Sequence, residues 1–291
     1  MLELPDDLTD IIALADWLEL VVISLDEKQT SISYLEDALQ IPLDEEESHD
    51  LASEVVIELE RRVRAAADSY PFVFDEGRVL QARTNLLEFL PYIFCLYISY
   101  FGWKPEGGDE LDPRLMFEEL SSLAAAEFVM GDVCLFGTSR RKNGVTNFTQ
   151  AVEDLCIRLG EGGPAIARPA LSPQDDHLDL VAWREFPDRR QSKLVLFGQC
   201  ATGENWTEKL SELQPDTFWS FWISGPHISP LLRAFFMPHR VYEDDRWEHH
   251  AISAGILFDR CRVSLFAARR TAAIVADERY KRWCLSVWPF S

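Results

Sequence analysis

Two apolar segments lie close together in the second half of the chain, Leu178 to Trp183 and Lys193 to Gln199, with the polar turn Pro187 to Ser192 between them. The second contains the unbroken run Leu194-Val195-Leu196-Phe197. A strand apolar on both faces has no side to turn to water, so this run is expected at the buried centre of a sheet. The neighbouring segments suit such a sheet. Residues 146–159 read as an amphipathic helix with Phe148, Val152, Leu155 and Leu159 on one face, Gly160 as its C-cap and Gly162, Gly163 and Pro164 ending the element. Asn205 is expected to start a helix, with Glu208 three residues on as in a capping box and Trp206, Leu210 and Leu213 on its apolar face. Leu231 to Met237 reads as a strand and Ile256 to Tyr280 as helix.

The first 125 residues read as helices. In Leu51 to Asp68, Val56, Leu59, Val63 and Ala66 recur at helical spacing, while Glu58–Arg62 and Glu60–Arg64 are i,i+4 ion pairs expected on the wet face. A helix is expected over Val79 to Tyr100, broken or kinked at Pro91, then a loop from Lys104 to Pro113 and a helix from Pro113 to Met130. The acidic run Asp44 to Asp50 reads as a solvated connector.

The net charge of −21 is unevenly spread: residues 1–130 hold 29 acidic and 8 basic side chains, whereas residues 131–291 hold 20 of each. The acidic part would repel a nucleic-acid backbone, and the neutral part would not. The chain therefore divides, on its sequence, into an acidic helical region over 1–130, suited to interaction or regulation, and an α/β domain over 131–291. Phe89 to Trp103 is uncharged but too short to span a bilayer, so it reads as a buried helix and no membrane association is expected. The N-terminus is acidic and lacks the basic start of a signal peptide. Six cysteines without a CxxC pair read as reduced thiols in a cytoplasmic protein.

The chemistry-bearing residues follow the order of the elements: Glu153 on a helix, Asp179 in a strand, Gln199 at a strand terminus and Lys209 on the next helix. A carboxylate inside an apolar strand is costly unless a partner, a metal or an open cleft receives it, which makes Asp179 the leading candidate. Magnesium takes oxygen ligands, and a lysine nearby can orient water or offset charge on phosphorus. The segments His177-Leu178-Asp179-Leu180-Val181-Ala182-Trp183 and Lys193-Leu194-Val195-Leu196-Phe197-Gly198-Gln199-Cys200-Ala201 together resemble the PD-(D/E)xK nuclease superfamily, which includes many restriction endonucleases and several phage-defence nucleases. The resemblance covers roughly residues 140–215. It implies an α+β fold, a restriction-endonuclease-like mixed β-sheet core flanked by helices. It also implies metal ligands at Asp179 and Gln199 with a further acid at Glu153, Mg²⁺ or Mn²⁺ as cofactor, and nucleic acid, DNA first, as substrate. The usual lysine position is Ala201, so the lysine would come from the following helix as Lys209. The acidic region would then recruit a protein partner or a second copy, and a role as effector of a bacterial defence system is implied by the resemblance alone.

Two rivals belong to other classes. Gln199-Cys200-Ala201-Thr202-Gly203 after an apolar strand resembles a caspase-like cysteine peptidase with Cys200 as nucleophile, although no histidine lies between His49 and His177 to act as its base. A non-enzymatic adaptor, docking a partner through the acidic region, is the other. His249 and His250, set among Glu243, Asp244, Asp245 and Glu248, read as a solvated turn, and Pro238-His239-Arg240 as loop packing. Arg269, Arg270, Arg279, Lys281 and Arg282 are either a track for a nucleic-acid backbone or a mixed wet helix face. The aromatics Phe218, Trp219, Phe221, Trp222, Phe235 and Phe236 read as core.

Overall fold

Three residues of the apolar run, Val195, Leu196 and Phe197, lie buried at the centre of a sheet, whereas Leu194 precedes the strand and is 42% exposed. A computed structural model describes residues 2–75, 78–103, 111–136, 148–166, 177–242 and 244–287. Five strands, β4 (Asp132–Leu135), β5 (Leu180–Trp183), β6 (Val195–Cys200), β7 (Leu231–Phe236) and β8 (Ile256–Phe258), form one mixed sheet in the order β4-β5-β6-β7-β8. β4, β5 and β6 pair antiparallel, and β6, β7 and β8 pair parallel. The fold class is α+β, with helices on both faces of this sheet.

The two faces of the sheet fill different cores, as the alternation of strand side chains requires. Val181, Trp183, Val195 and Phe197 pack under α6 (Phe148–Leu159) and α7 (Pro215–Trp222), with Phe148, Val152, Phe218 and Trp219. Gly160 has φ +65°, as a C-cap glycine should. Leu180, Ala182, Leu196, Ala234 and Phe236 face the larger core. A Cβ on Gly198 would sit 2.7 Å from Leu180 Cδ1 and 2.9 Å from Phe236 Cε2, so only glycine lets the two neighbouring strands close over this point. A smaller cluster of Ala201, Trp206, Leu210, Phe235 and Leu257 lies beside α8 (Asp244–Ala254).

The larger core is shared by the whole chain. It takes Leu14 and Leu18 from α1 (Ile11–Ser24), Val55 and Leu59 from α3 (Glu45–Ala66), Phe94 from α4 (Leu90–Phe101) and Phe117 and Leu120 from α5 (Pro113–Val129). Cys261 and Val263 from α9 (Arg260–Ala267), Ile274 from α10 (Thr271–Ala276) and Trp283 from α11 (Glu278–Val287) join the same cluster. Phe94 meets Tyr280 and Trp283 edge-on at 4.9 and 5.2 Å, contacts worth roughly 0.5–1.5 kcal/mol each beyond area burial. The division near residue 130 thus falls between α5 and β4, while the core continues across it.

Several expectations are corrected. The first 125 residues are not all helical: β1 (Gln29–Ser31), β2 (Phe72–Asp75) and β3 (Val79–Ala82) form an antiparallel sheet in the order β1-β3-β2. Residues 79–82 are therefore strand, and the helix expected from Val79 begins only at Leu90. Pro91 does not kink it but stands in its first turn, where the missing N–H has no intrahelical partner to lose. The acidic run is no connector: Asp44 caps α3 by accepting from the Glu47 N–H at 2.9 Å, and Glu45, Glu46 and Glu47 fill the first turn, where the helix dipole favours negative charge. The segment from Ile256 opens as a strand, and α9 starts only where Asp259 accepts from the Arg262 N–H. Asn205 starts no capped helix; Glu204–Lys209 is a 3-10 turn without a side-chain cap. Most of the loop expected over 104–113 lies outside the described residues.

The largest correction concerns α3. Glu58 and Arg62, expected on its wet face, are fully buried, and Val63 is 38% exposed. Arg62 Nε lies 2.7 Å from Glu58 Oε1, and Arg62 Nη1 lies 2.7 Å from Asp16 and 3.0 Å from Glu19 on α1. Arg240 Nε, after β7, reaches Glu58 at 3.1 Å and its Nη1 pairs with Asp259, while Arg260 pairs with Asp16. Tyr70 and Tyr92 donate to Glu19 at 2.7 and 2.9 Å. Burial of these charges is tolerable because each finds an opposite charge or a donor. Glu60–Arg64, at 3.7 Å, remains on the exposed side as expected.

Candidate functional site

Asp179 immediately precedes β5, and the register that pairs Leu180 with Gly198 sets it beside the carboxyl end of β6. Its main chain is held on both sides: the Asp179 N–H donates to the Gly198 carbonyl at 3.0 Å, and the Phe136 N–H donates to the Asp179 carbonyl at 2.7 Å. Its side chain is half-buried, and Oδ2 accepts from the Cys200 N–H at 2.6 Å. A charge-assisted bond of that kind fixes the carboxylate.

Gln199 stands next to this bond and is buried. Its Nε2 donates to Glu212 Oε2 at 2.7 Å, which fixes which end of the amide is nitrogen. The other end, Oε1, is buried with no hydrogen-bond partner. Glu212 Oε2 also lies 3.2 Å from His177 Nδ1, and the Glu212 N–H donates to the Lys209 carbonyl at 3.1 Å, so the turn carrying half-buried Lys209 is tied to the main chain of the same residue. The structure therefore gathers Asp179, Gln199 and the turn of Lys209 around one end of β5 and β6. It does not bring Glu153 to them: Glu153 is exposed on α6, whose buried side is Phe148, Val152 and Leu155.

Three residues of this neighbourhood had no role in the sequence. Glu118, buried on α5, acts electrostatically on Cys200 together with Asp179. It stands some sixty residues before the strand pair, inside a helix read as part of the acidic region, and no local pattern marks it. Glu212 was signalled only by standing three residues after Lys209. His177, which precedes β5, adopts φ +61° and meets Glu212.

The arrangement speaks against Cys200 as a nucleophile. Burial, then the negative charges of Asp179 and Glu118, push its thiol well above the ordinary cysteine value, whereas a nucleophilic cysteine needs a lowered one. The Gln199 amide oxygen, buried without a donor, is of the oxygen-ligand kind that magnesium and manganese take. Among the described residues no group of three or more His, Cys, Asp and Glu side chains is placed to hold a metal, so a metal here would rest on one carboxylate, one amide oxygen and water.

Other candidate groups are placed as follows. His239, after β7, is half-buried between Ser99 Oγ and the Thr202 carbonyl, both 3.2 Å away, and desolvation pulls its imidazole below the ordinary value. It borders a cavity of about 820 Å³ with Asp16, Tyr100, Trp206 and Arg240. Arg270 pairs with Glu127, Arg279 with Glu119 and Asp277, and Lys281 with Glu278, so these basic groups form the mixed face. Phe218, Trp219, Trp222, Phe235 and Phe236 are core. No helix among the described residues is long and apolar enough to cross a membrane.

Comparison with protein-family models, with curated proteins and with solved structures yields no match for this chain.

Proposed function

We propose that the chain is a metal-dependent nuclease that hydrolyses phosphodiester bonds of nucleic acid, DNA first. One observation supports the reading: Asp179 and Gln199, whose Oε1 is buried without a partner, stand opposite one another at the same end of two paired central strands. Asp179 and Gln199 Oε1 would hold Mg²⁺ or Mn²⁺, which supplies Lewis acidity and an activated water at neutral pH. The chain's own residues do the positioning. The Cys200 N–H fixes Asp179, and Glu212, braced by His177, holds the nitrogen end of the Gln199 amide, which leaves the oxygen as the end to meet a metal. Lys209 would offset charge on the phosphoryl oxygens. Glu153 has no part in this arrangement.

The wider setting belongs to the same proposal. Six free thiols suit the cytoplasm. The acidic face of residues 1–130 suits a protein partner or a second copy rather than the substrate, and a role as effector in phage defence follows from the resemblance to nucleases of that kind. A non-catalytic adaptor of the same architecture is the second reading, favoured by the fact that Asp179 Oδ2 and Gln199 Nε2 already have protein partners.

The test is cleavage of plasmid and single-stranded DNA in Mg²⁺ or Mn²⁺ by the wild type and by Asp179→Ala, Gln199→Ala and Lys209→Ala. Cleavage that requires the metal and falls at least about 100-fold in each variant supports the reading. Cleavage that survives Asp179→Ala sinks the site. Absence of cleavage by the wild type moves the assignment to the adaptor.

A further inference from the structure

A second feature lies at the same end of the sheet. Because β6, β7 and β8 run parallel, with Cys200 beside Phe236 and Phe236 beside Phe258, the segments that follow them leave the sheet together. Arg240 follows β7 and Arg262 lies in the first turn of α9, after β8. Across from them α3 presents Arg61 and Arg64. These four arginines, with Tyr242 and Trp247, line a pocket of about 480 Å³, and Asp259 is the one acid among its described lining residues. Asp259 is paired with Arg240, which also meets Glu58, so the charge offered to a ligand rests on the exposed Arg64 and Arg262.

This concentration of positive charge stands on a chain of net charge −21. Three of the eight basic residues of the acidic first 130, Arg61, Arg62 and Arg64, fall in one turn of α3, and two of the three face this pocket. The guanidiniums are pre-set. Arg262 lies over the Trp247 ring at 4.5 Å and donates to the Leu257 carbonyl, and Arg61 lies over the Tyr242 ring at 5.1 Å and donates to the Tyr242 carbonyl. Arg64 is exposed, and its ion pair with Glu60 is long at 3.7 Å. Rigid arginine forks recognise phosphate oxygens, and a local excess of positive charge within an acidic surface confines such a ligand to one place.

We infer that this arginine-lined pocket binds the phosphodiester backbone of a nucleic-acid strand and leads it to the sheet end where Asp179 and Gln199 stand. The inference rests on the nuclease reading for its choice of anion, and it is tested by binding rather than by cleavage. A labelled single-stranded oligonucleotide and a duplex are titrated with the full chain in EDTA, using wild type, Arg64→Glu/Arg262→Glu, Arg64→Lys/Arg262→Lys and Asp179→Ala. Both arginines are exposed, and circular dichroism checks that every variant is folded. The expected result is at least a tenfold weaker Kd for the glutamate pair and partial retention by the lysine pair. The slope of log K against log salt should also be smaller by about 1–2 in the glutamate pair. Asp179→Ala should bind as wild type does. If the wild type binds neither oligonucleotide, or the glutamate pair binds as tightly as wild type, the inference is overturned, even if cleavage is observed. Arginine-dependent binding without cleavage by any version would instead keep this inference and remove the nuclease reading.

Discussion

Arg260 forks onto Asp16 across 244 residues of chain, its Nη1 3.1 Å from Oδ2 and its Nη2 bonded to Oδ1, with both side chains buried. The pair joins α9, which leaves the carboxyl end of the central sheet, to α1. Removing one partner of a buried pair leaves the other charge uncompensated, at a cost of about 3–5 kcal/mol. Asp16→Ala and Arg260→Ala should each lower unfolding free energy in urea by that amount. Arg64→Ala, on the wet side of α3, should change it by less than about 0.5 kcal/mol. Equal effects from Arg64→Ala and Arg260→Ala would show that the network does not tie the two ends of the chain together.

Acid should unfold the protein in two stages. Burial alone would raise the Asp16 carboxyl, but the Arg260 and Arg62 charges outweigh it and hold the group below the ordinary aspartate value. A lowered folded value means that the unfolded chain binds the proton first, so this contribution is complete above about pH 4 and is lost as pH falls below it. His239 is likewise held below its ordinary value by burial, so its contribution is complete above about pH 6.5 and declines beneath that. Urea midpoints measured from pH 8 to pH 3 should fall first below about 6.5 and again below about 4, with His239→Gln removing the first step. A flat profile between pH 7 and 5 in the wild type would contradict the burial of His239.

Cys200 should be inert in the folded protein. Its raised thiol and its place at the end of β6 predict that iodoacetamide at pH 8 leaves it unmodified until denaturant is added, and that Cys200→Ser keeps whatever activity the chain has. Rapid native-state alkylation at Cys200, with loss of activity, would revive the peptidase reading.

Glu153 and Gly198 separate chemistry from architecture. Glu153→Ala, on the exposed side of α6, should leave both nuclease activity and stability unchanged, whereas Asp179→Ala should remove activity alone. Gly198→Ala should act the other way, lowering stability by about 1–3 kcal/mol as its Cβ meets Leu180 and Phe236 between the paired strands. Thermal unfolding of the three variants beside the cleavage assay distinguishes them, and a stable, inactive Glu153→Ala would reinstate that residue in the site.

Elements whose signal is local are legible from the residues alone. Val195 to Phe197 of the apolar run mark a doubly covered strand, although Leu194 before them is exposed, and Phe148, Val152, Leu155 and Leu159 mark the buried side of α6. Pro113 to Met130 is a helix by composition and period, and α5 occupies 113–129. What the tertiary structure decided are the matters settled by residues far apart. Glu58 and Arg62 read as wet because a lone helix could not bury them; they are dry because Asp16, Glu19 and Arg240 arrive from elsewhere in the chain. Val79 to Ala82 became strand because β1 and β2 supply the hydrogen bonds that its own segment could have satisfied as helix. Asp179 and Gln199 could be read as strand-end residues, but Glu118, Glu212 and the arginine pocket could not, since their meaning lies in partners brought by other elements. Periodicity records which side chains share a face, and only the folded chain decides which faces meet and which charges find each other.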